Sequence, residues 1–184
     1  ESLKILEKHK IIKKEKNKYE VLIRNKHLSK DSKLHDAHQF LLDHYKEFDF
    51  IWSSPPCQSH SSFRQNIGVR FRGVRPVYPD MRLYQEILFL QANAKCKWVV
   101  ENVKPYYKPL IEPTKILQRH LFWSNFEIDD REFRGEKLRS AQIQDLQKRH
   151  CIDLSQYKLS DKRQLLRNCV DSELGKFMIE EAFK

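Results

Sequence analysis

The chain has 184 residues, 35 Lys and Arg against 25 Asp and Glu for a formal charge of +10, and four glycines, all beyond position 67. That length suits about one domain with a real core, and 40% hydrophobic with 11% aromatic residues excludes wholesale disorder despite 33% charge. No apolar run approaches the roughly 18 residues of a membrane span, no signal-peptide pattern opens the chain, and no glycine-rich phosphate loop can stand near its start.

In chain order, residues 2–9 carry helical periodicity within a lysine-rich stretch, 1–30, that holds ten basic residues against four acids. Such a stretch serves equally as a solvated surface or as part of a polyanion-binding face. Residues 19–23 (YEVLI) predict a short strand, and 36–46 an amphipathic helix opened by Asp36. Residues 48–53 (FDFIWS) predict a buried strand that must stop at Pro55 and Pro56, because proline cannot donate to a sheet ladder. A long loop follows over 58–79, with Arg64, Arg70, Arg72 and Arg75 and no acidic residue. Arginine among Gly and Ser suits forked contacts to phosphates and bases.

Residues 81–93 predict a strong helix, 97–100 (KWVV) a second buried strand ending in Glu101, Asn102 and Val103, and 121–128 a third apolar stretch. Helices near 136–149 and 171–183 close the chain. Strands alternating with helices predict an α/β sheet whose working residues sit at the strand C-terminal ends. The four cysteines, Cys57, Cys96, Cys151 and Cys169, show no CxxC spacing, which favours reduced thiols in a cytoplasmic protein. His150 beside Cys151 has no second ligand pair, so no metal is expected.

Two strand ends carry the chemistry. Cys57 stands just past one strand, and an arginine-flanked loop there favours thiolate. Glu101 emerges from an apolar run, so desolvation should raise its pKa toward a range useful for donating a proton. Alone, Cys57 reads as well as a small buried residue, and Glu101 as a sheet-edge ion pair. A cysteine hydrolase built on Cys57 and His60 gains no support from their spacing of three within a loop.

Taken as an ordered pair, Pro56-Cys57-Gln58 after one strand and Glu101-Asn102-Val103 after the next resemble the cytosine-C5 methyltransferases. The segment around Asp80, Arg82 and Leu83 is similar to the family's helix between those strands. Asn168-Cys169-Val170, within 165–182, is similar to its closing motif. The resemblance covers 36–126 and 162–184. It implies a Rossmann-like methyltransferase fold using S-adenosylmethionine: a partial catalytic domain over 1–126, a very small recognition insert over 127–161, and a C-terminal helix over 162–184 that completes the catalytic domain.

The activity it implies is methyl transfer to C5 of a cytosine flipped out of DNA. Cys57 is then the nucleophile on C6, Glu101 the proton donor at N3, and Arg119 a remnant of the Gln-x-Arg-x-Arg segment that helps bind the base. Pro56, Gln58, Ser61, Arg64, Arg70, Arg72, Asn102 and Val103 would contact substrate. Asp36, Pro56, Leu83, Asn168 and Val170 would wall the cofactor pocket, Asp36 serving equally as a helix N-cap. The family's opening strand and Phe-x-Gly-x-Gly loop have no counterpart in this sequence, so the resemblance implies a complementing N-terminal segment or a second subunit. Two alternatives stay open: an RNA- or tRNA-directed enzyme of the same chemistry, and a non-catalytic nucleic-acid-binding subunit.

Overall fold

The computed structural model describes residues 13–15, 18–20, 37–133, 142–159 and 161–184. The helix expected over 2–9, and Asp36, lie outside the described residues. Strands β1 (Lys13–Glu15) and β2 (Lys18–Glu20) pair antiparallel, Lys13 opposite Glu20. Helix α1 (Ala37–His44) runs through a 3-10 turn into β3 (Phe50–Ser53), which ends before the Pro55-Pro56 pair as its sequence requires.

From β3 the chain passes through α2 (Arg82–Asn93) into β4 (Lys97–Val103), which pairs parallel with β3, Trp52 opposite Val99 and Ser53 opposite Val100. This strand–helix–strand unit brings both strand C-terminal ends to one edge of the sheet. Strand β4 does not end at Val100 as the sequence predicts. Its ladder continues to Val103 because β6 (His120–Ser124) pairs with it antiparallel, Glu101 opposite Phe122 and Val103 opposite His120. Strand β5 (Lys115–Leu117), not foreseen, completes a hairpin with β6, giving the order β3-β4-β6-β5. The fold is thus mixed α/β with a four-stranded mixed sheet.

Each face of that sheet is covered. Ile51, Trp98, Val100, Leu121 and Trp123 pack with Leu41, Leu83, Ile87 and Leu90 from α1 and α2. On the other face Phe50, Val99, Leu117 and Phe122 meet Leu174, Phe177, Met178 and Ile179 of helix α5 (Ser172–Ala182). Alternation along β4 explains the split, since successive side chains point to opposite faces. Each fully enclosed aliphatic side chain, such as Leu90, contributes about 1.5–3 kcal/mol.

Helices α3 (Ile143–His150) and α4 (Lys162–Asn168) enclose a separate small core of Leu146, Leu154 and Leu166. Leu166, which the sequence groups with the closing helix, therefore packs with α3. Arg149 donates from Nε to Asp171 Oδ2 at 2.9 Å, linking this unit to the N-cap of α5. No helix among the described residues is long and apolar enough to cross a membrane, and no cluster of three metal-ligating side chains occurs among them.

Candidate active site

The C-terminal ends of β3 and β4 are joined by a buried amide. Asn102, on the face of β4 opposite Glu101, donates from Nδ2 to the Pro55 carbonyl at 2.9 Å and accepts the Val103 N–H at 3.0 Å. The bond fixes the two-proline approach to Cys57. Expected to touch substrate, Asn102 is instead fully buried and serves as the pin between the two strand ends.

Beyond the pin, backbone bonds stitch the Cys57 turn to the chain after β4. The Cys57 carbonyl accepts from the N–H groups of His60 and Ser61 at 3.1 and 3.0 Å. Tyr106 N–H donates to the His60 carbonyl at 3.1 Å, and Ser61 bridges to Pro105. His60 itself is fully buried, its Nδ1 sharing a 2.5 Å hydrogen bond with the Tyr107 hydroxyl, which lies 3.4 Å from that of Tyr84. Burial holds the His60 imidazole below its ordinary pKa, against the pull of nearby Asp80. His60 is thus a latch for the turn.

Glu101 is 8% exposed and shares its sheet face with Val99, Phe122 and His120. Burial raises its carboxyl to about 7, opposed by a hydrogen bond with the Ser54 side chain and by the Arg119 charge. Ser54 Oγ is in turn held by Trp52, whose Nε1 donates to it at 2.9 Å. The upward shift expected for Glu101 from its apolar run is thus due to desolvation.

Cys57 departs from expectation. Half-buried and free, its thiol is pushed above the ordinary value by burial and then by the Glu101 charge, while a backbone hydrogen bond and Arg119 oppose both. The arginines after Cys57 do not supply the electropositive field that their position in sequence suggests. The positive charge that acts on the thiol is that of Arg119, and it is outweighed. Arg119 sits in the two-residue turn between Leu117 and His120, where Gln118 adopts a left-handed φ of 54°. A non-glycine residue held there stores backbone strain of the kind that collects at functional turns. The Arg119 carbonyl accepts from Lys104 N–H at 3.0 Å, tying that turn to the end of β4.

The other expected substrate contacts divide. Gln58 is exposed beside Cys57, whereas Pro56, Ser61 and Val103 are half-buried at the same strand ends. Ser61 Oγ accepts the Arg64 N–H at 3.3 Å and so starts a helical segment where the sequence predicts a loop: a π-helical stretch, Arg64–Val69, running into a turn, Arg70–Arg72. Arg64 spends a guanidinium N–H on the Arg75 carbonyl at 3.0 Å. Arg70 and Arg72 are exposed.

The residues expected around the cofactor do not converge. Leu83 is enclosed in the core on the α1/α2 face, Val170 packs on the α5 face, and Asn168 is exposed at the end of α4. Only Pro56 adjoins Cys57, and Asp36 lies outside the described residues. A cleft of about 290 Å³ between Ile87, Trp98, Ile111, Trp123 and Asn125 includes neither Cys57 nor Glu101.

His120 is the site residue that sequence reading misses. Its ring is buried, its Nδ1 lies 3.7 Å from Glu101 Oε1, and burial, with Arg119, lowers it to about 4. A turn placed at 118–119 would have revealed it, because His120 and Phe122 then alternate on the Glu101 face. Comparison with family models, with curated proteins and with solved structures gives no match for this chain.

Proposed function

We propose that this chain carries the base-activating half of a cytosine-C5 methyltransferase acting on DNA, its mixed sheet being part of a Rossmann-like methyltransferase sheet. The observation that carries the reading is the convergence of Cys57, Glu101 and Arg119 at the edge where β3 and β4 end, close enough for the charges of Glu101 and Arg119 to act on the Cys57 thiol.

The chemistry follows from what cytosine lacks. C5 is a poor nucleophile until a thiolate adds to C6. The Cys57 Sγ forms the C–S bond, the C5=C6 pair of electrons moves into the ring toward N3 and O2, and N3 takes the proton of the Glu101 carboxylic acid. The electron-rich C5 then forms a bond to an electrophile, the methyl group in turnover or a deuteron from heavy water in exchange, and N3 returns its proton to Glu101. Loss of the original C5 hydrogen to a solvent base re-forms C5=C6 and expels the Cys57 thiolate. A carboxyl near 7 suits both directions. Arg119 limits the cost of the thiolate and meets the base or its phosphate. A target ring held in a duplex would have to leave the stack to reach Cys57.

S-adenosylmethionine is the methyl donor this reading implies, and a complementing segment or second subunit would supply the Phe-x-Gly-x-Gly loop that has no counterpart in this sequence. The addition step can be tested alone. Cytosine-containing DNA incubated with the protein in heavy water should exchange its C5 hydrogen, and both Cys57→Ser and Glu101→Gln should lower the rate by at least about 100-fold. Radiolabelled methyl transfer to duplex DNA against tRNA separates the DNA- from the RNA-directed reading. Tight nucleic-acid binding without exchange would replace the enzyme with a binding subunit.

A further inference from the structure

The chain from Ser59 to Asp80 leaves the sheet and returns to its starting point, for Ser59 Oγ accepts the Asp80 N–H at 2.9 Å, two residues from Cys57. Between those ends the segment is built rather than slack. Ser61 caps its start, Arg64 grips the Arg75 carbonyl, Val74 N–H donates to the Gly68 carbonyl at 3.0 Å, and Gly73 ends the helix with a left-handed φ of 63°. Its outer surface is unusual. Phe71 is 78% and Tyr78 95% exposed, with Val74, Val77 and Phe63 also open, and Arg70, Arg72 and Arg75 stand between them with no acidic residue from 57 to 79.

Exposed rings of this size mark an interaction site rather than an ordinary surface, and the charge selects its occupant. Arginines two and three residues apart attract a polyanion, while flat rings seek flat apolar faces. A duplex satisfies the first demand and hides its base faces in the stack. An unpaired strand satisfies both, through base–aromatic stacking beside phosphate contacts. A π-helical stretch at the root is also common at functional sites.

We propose that Phe71 and Tyr78 form a stacking platform for unpaired nucleotides, with Arg70, Arg72 and Arg75 on their phosphates. Resting on the function proposed above, the platform holds the strand on either side of the cytosine presented to Cys57. The preferred substrate is then single-stranded or looped, not a closed duplex.

The test is fluorescence anisotropy of the whole chain with a labelled 12-mer as unpaired DNA, unpaired RNA and closed DNA duplex, and with anionic phosphatidylserine vesicles. Unpaired strands should bind at least about tenfold more tightly than duplex, the tighter of the DNA and RNA arms naming the natural source. The Phe71→Leu, Tyr78→Leu double variant, apolar but unable to stack, should lose about tenfold or more on unpaired strands with its salt slope unchanged. Arg70→Gln with Arg72→Gln should instead shallow that slope by about 1–2. Because both rings are exposed, the Leu variant should keep the wild-type circular dichroism spectrum and melting temperature. Duplex bound as tightly as unpaired strand, unchanged binding by the Leu variant, or binding to vesicles in place of strands would each overturn the platform. C5 exchange separates the two ideas: strand binding without exchange removes the chemistry and leaves the platform, whereas exchange at equal rates in duplex and in the Leu variant does the reverse.

Discussion

Oε1 of Glu101 stands 3.7 Å from Nδ1 of His120, and that nitrogen makes no hydrogen bond among the described residues. The contact follows from register, since Val103 faces His120 and the side chains two apart on β4 share a face. The two groups shift in opposite directions: Glu101 is raised to about 7 and His120 lowered to about 4, each chiefly by burial. At neutral pH the histidine is uncharged and the carboxyl is half-protonated.

Stability should therefore depend on pH in a defined way. Glu101 binds its proton more tightly folded than unfolded, so its contribution is full below the ordinary value near 4.5 and is lost as pH rises through 7. His120 does the opposite: its contribution is full above 6.5 and is lost as pH falls through 4. The two oppose each other between, and above 6.5 only Glu101 acts. Wild type should lose roughly 1 kcal/mol between pH 6 and 8 that Glu101→Gln does not. Urea unfolding at both pH values measures this, and parallel losses in the two proteins would refute it.

Cys57 should be a slow thiol in the free protein. Site-resolved mass spectrometry after iodoacetamide treatment at pH 8 should show Cys57 modified more slowly than exposed Cys151. Removing the carboxylate with Glu101→Gln should speed its alkylation a few-fold, and Arg119→Ala should slow it. Any other order would mean that the charges around Cys57 do not act as described.

The Asn102 pin is directional. Its amide donates to the Pro55 carbonyl, and both partners are out of solvent. Asn102→Ala should cost about 1–3 kcal/mol through the unpaired carbonyl. Asn102→Asp should cost more, because an ionised carboxylate would face a carbonyl with no proton to give. Both should reduce C5 exchange although Cys57 itself is unaltered, because the approach to it is no longer fixed. Equal stability of the Ala and Asp variants in thermal melts would show that the bond is not what matters at this position.

Gly73 isolates backbone conformation from packing. A Cβ there would meet nothing within 4 Å, yet its φ of 63° disfavours an L side chain. Gly73→Ala should cost about 1 kcal/mol and weaken strand binding by loosening the end of the helical turn, while Gly73→Asn, which tolerates this region, should cost less. Melting temperature and anisotropy together report on it, and an Ala variant indistinguishable from wild type in both would count against a formed turn.

What could be read from the sequence were features whose causes are local. Pro55 and Pro56 stop β3 by themselves, the spacing of Leu83, Ile87 and Leu90 makes α2, and the apolar run 98–100 makes the heart of β4. Those three features suffice to bring Cys57 and Glu101 to one sheet edge, so the centre of the candidate site was legible before any coordinate. The helical segment at 64–72 was not, because its causes, the Ser61 cap and the Arg64 grip on Arg75, join residues that carry no hydrophobic period.

The resemblance named Arg119, but no local signal put it in the β5–β6 turn, since a left-handed Gln118 gives no glycine to mark that turn. Local sequence thus set where β3 stops and put Cys57 and Glu101 next to buried strands, but not how far β4 runs or that β5 forms. Only tertiary structure decided that His120 meets Glu101, that Asn102 points inward to Pro55, and that Leu83 and Val170 fall on opposite faces. The first two depend on strand register, where a shift of one residue would turn His120 away from Glu101 and Asn102 away from Pro55, and the last on which helices cover each face of the sheet.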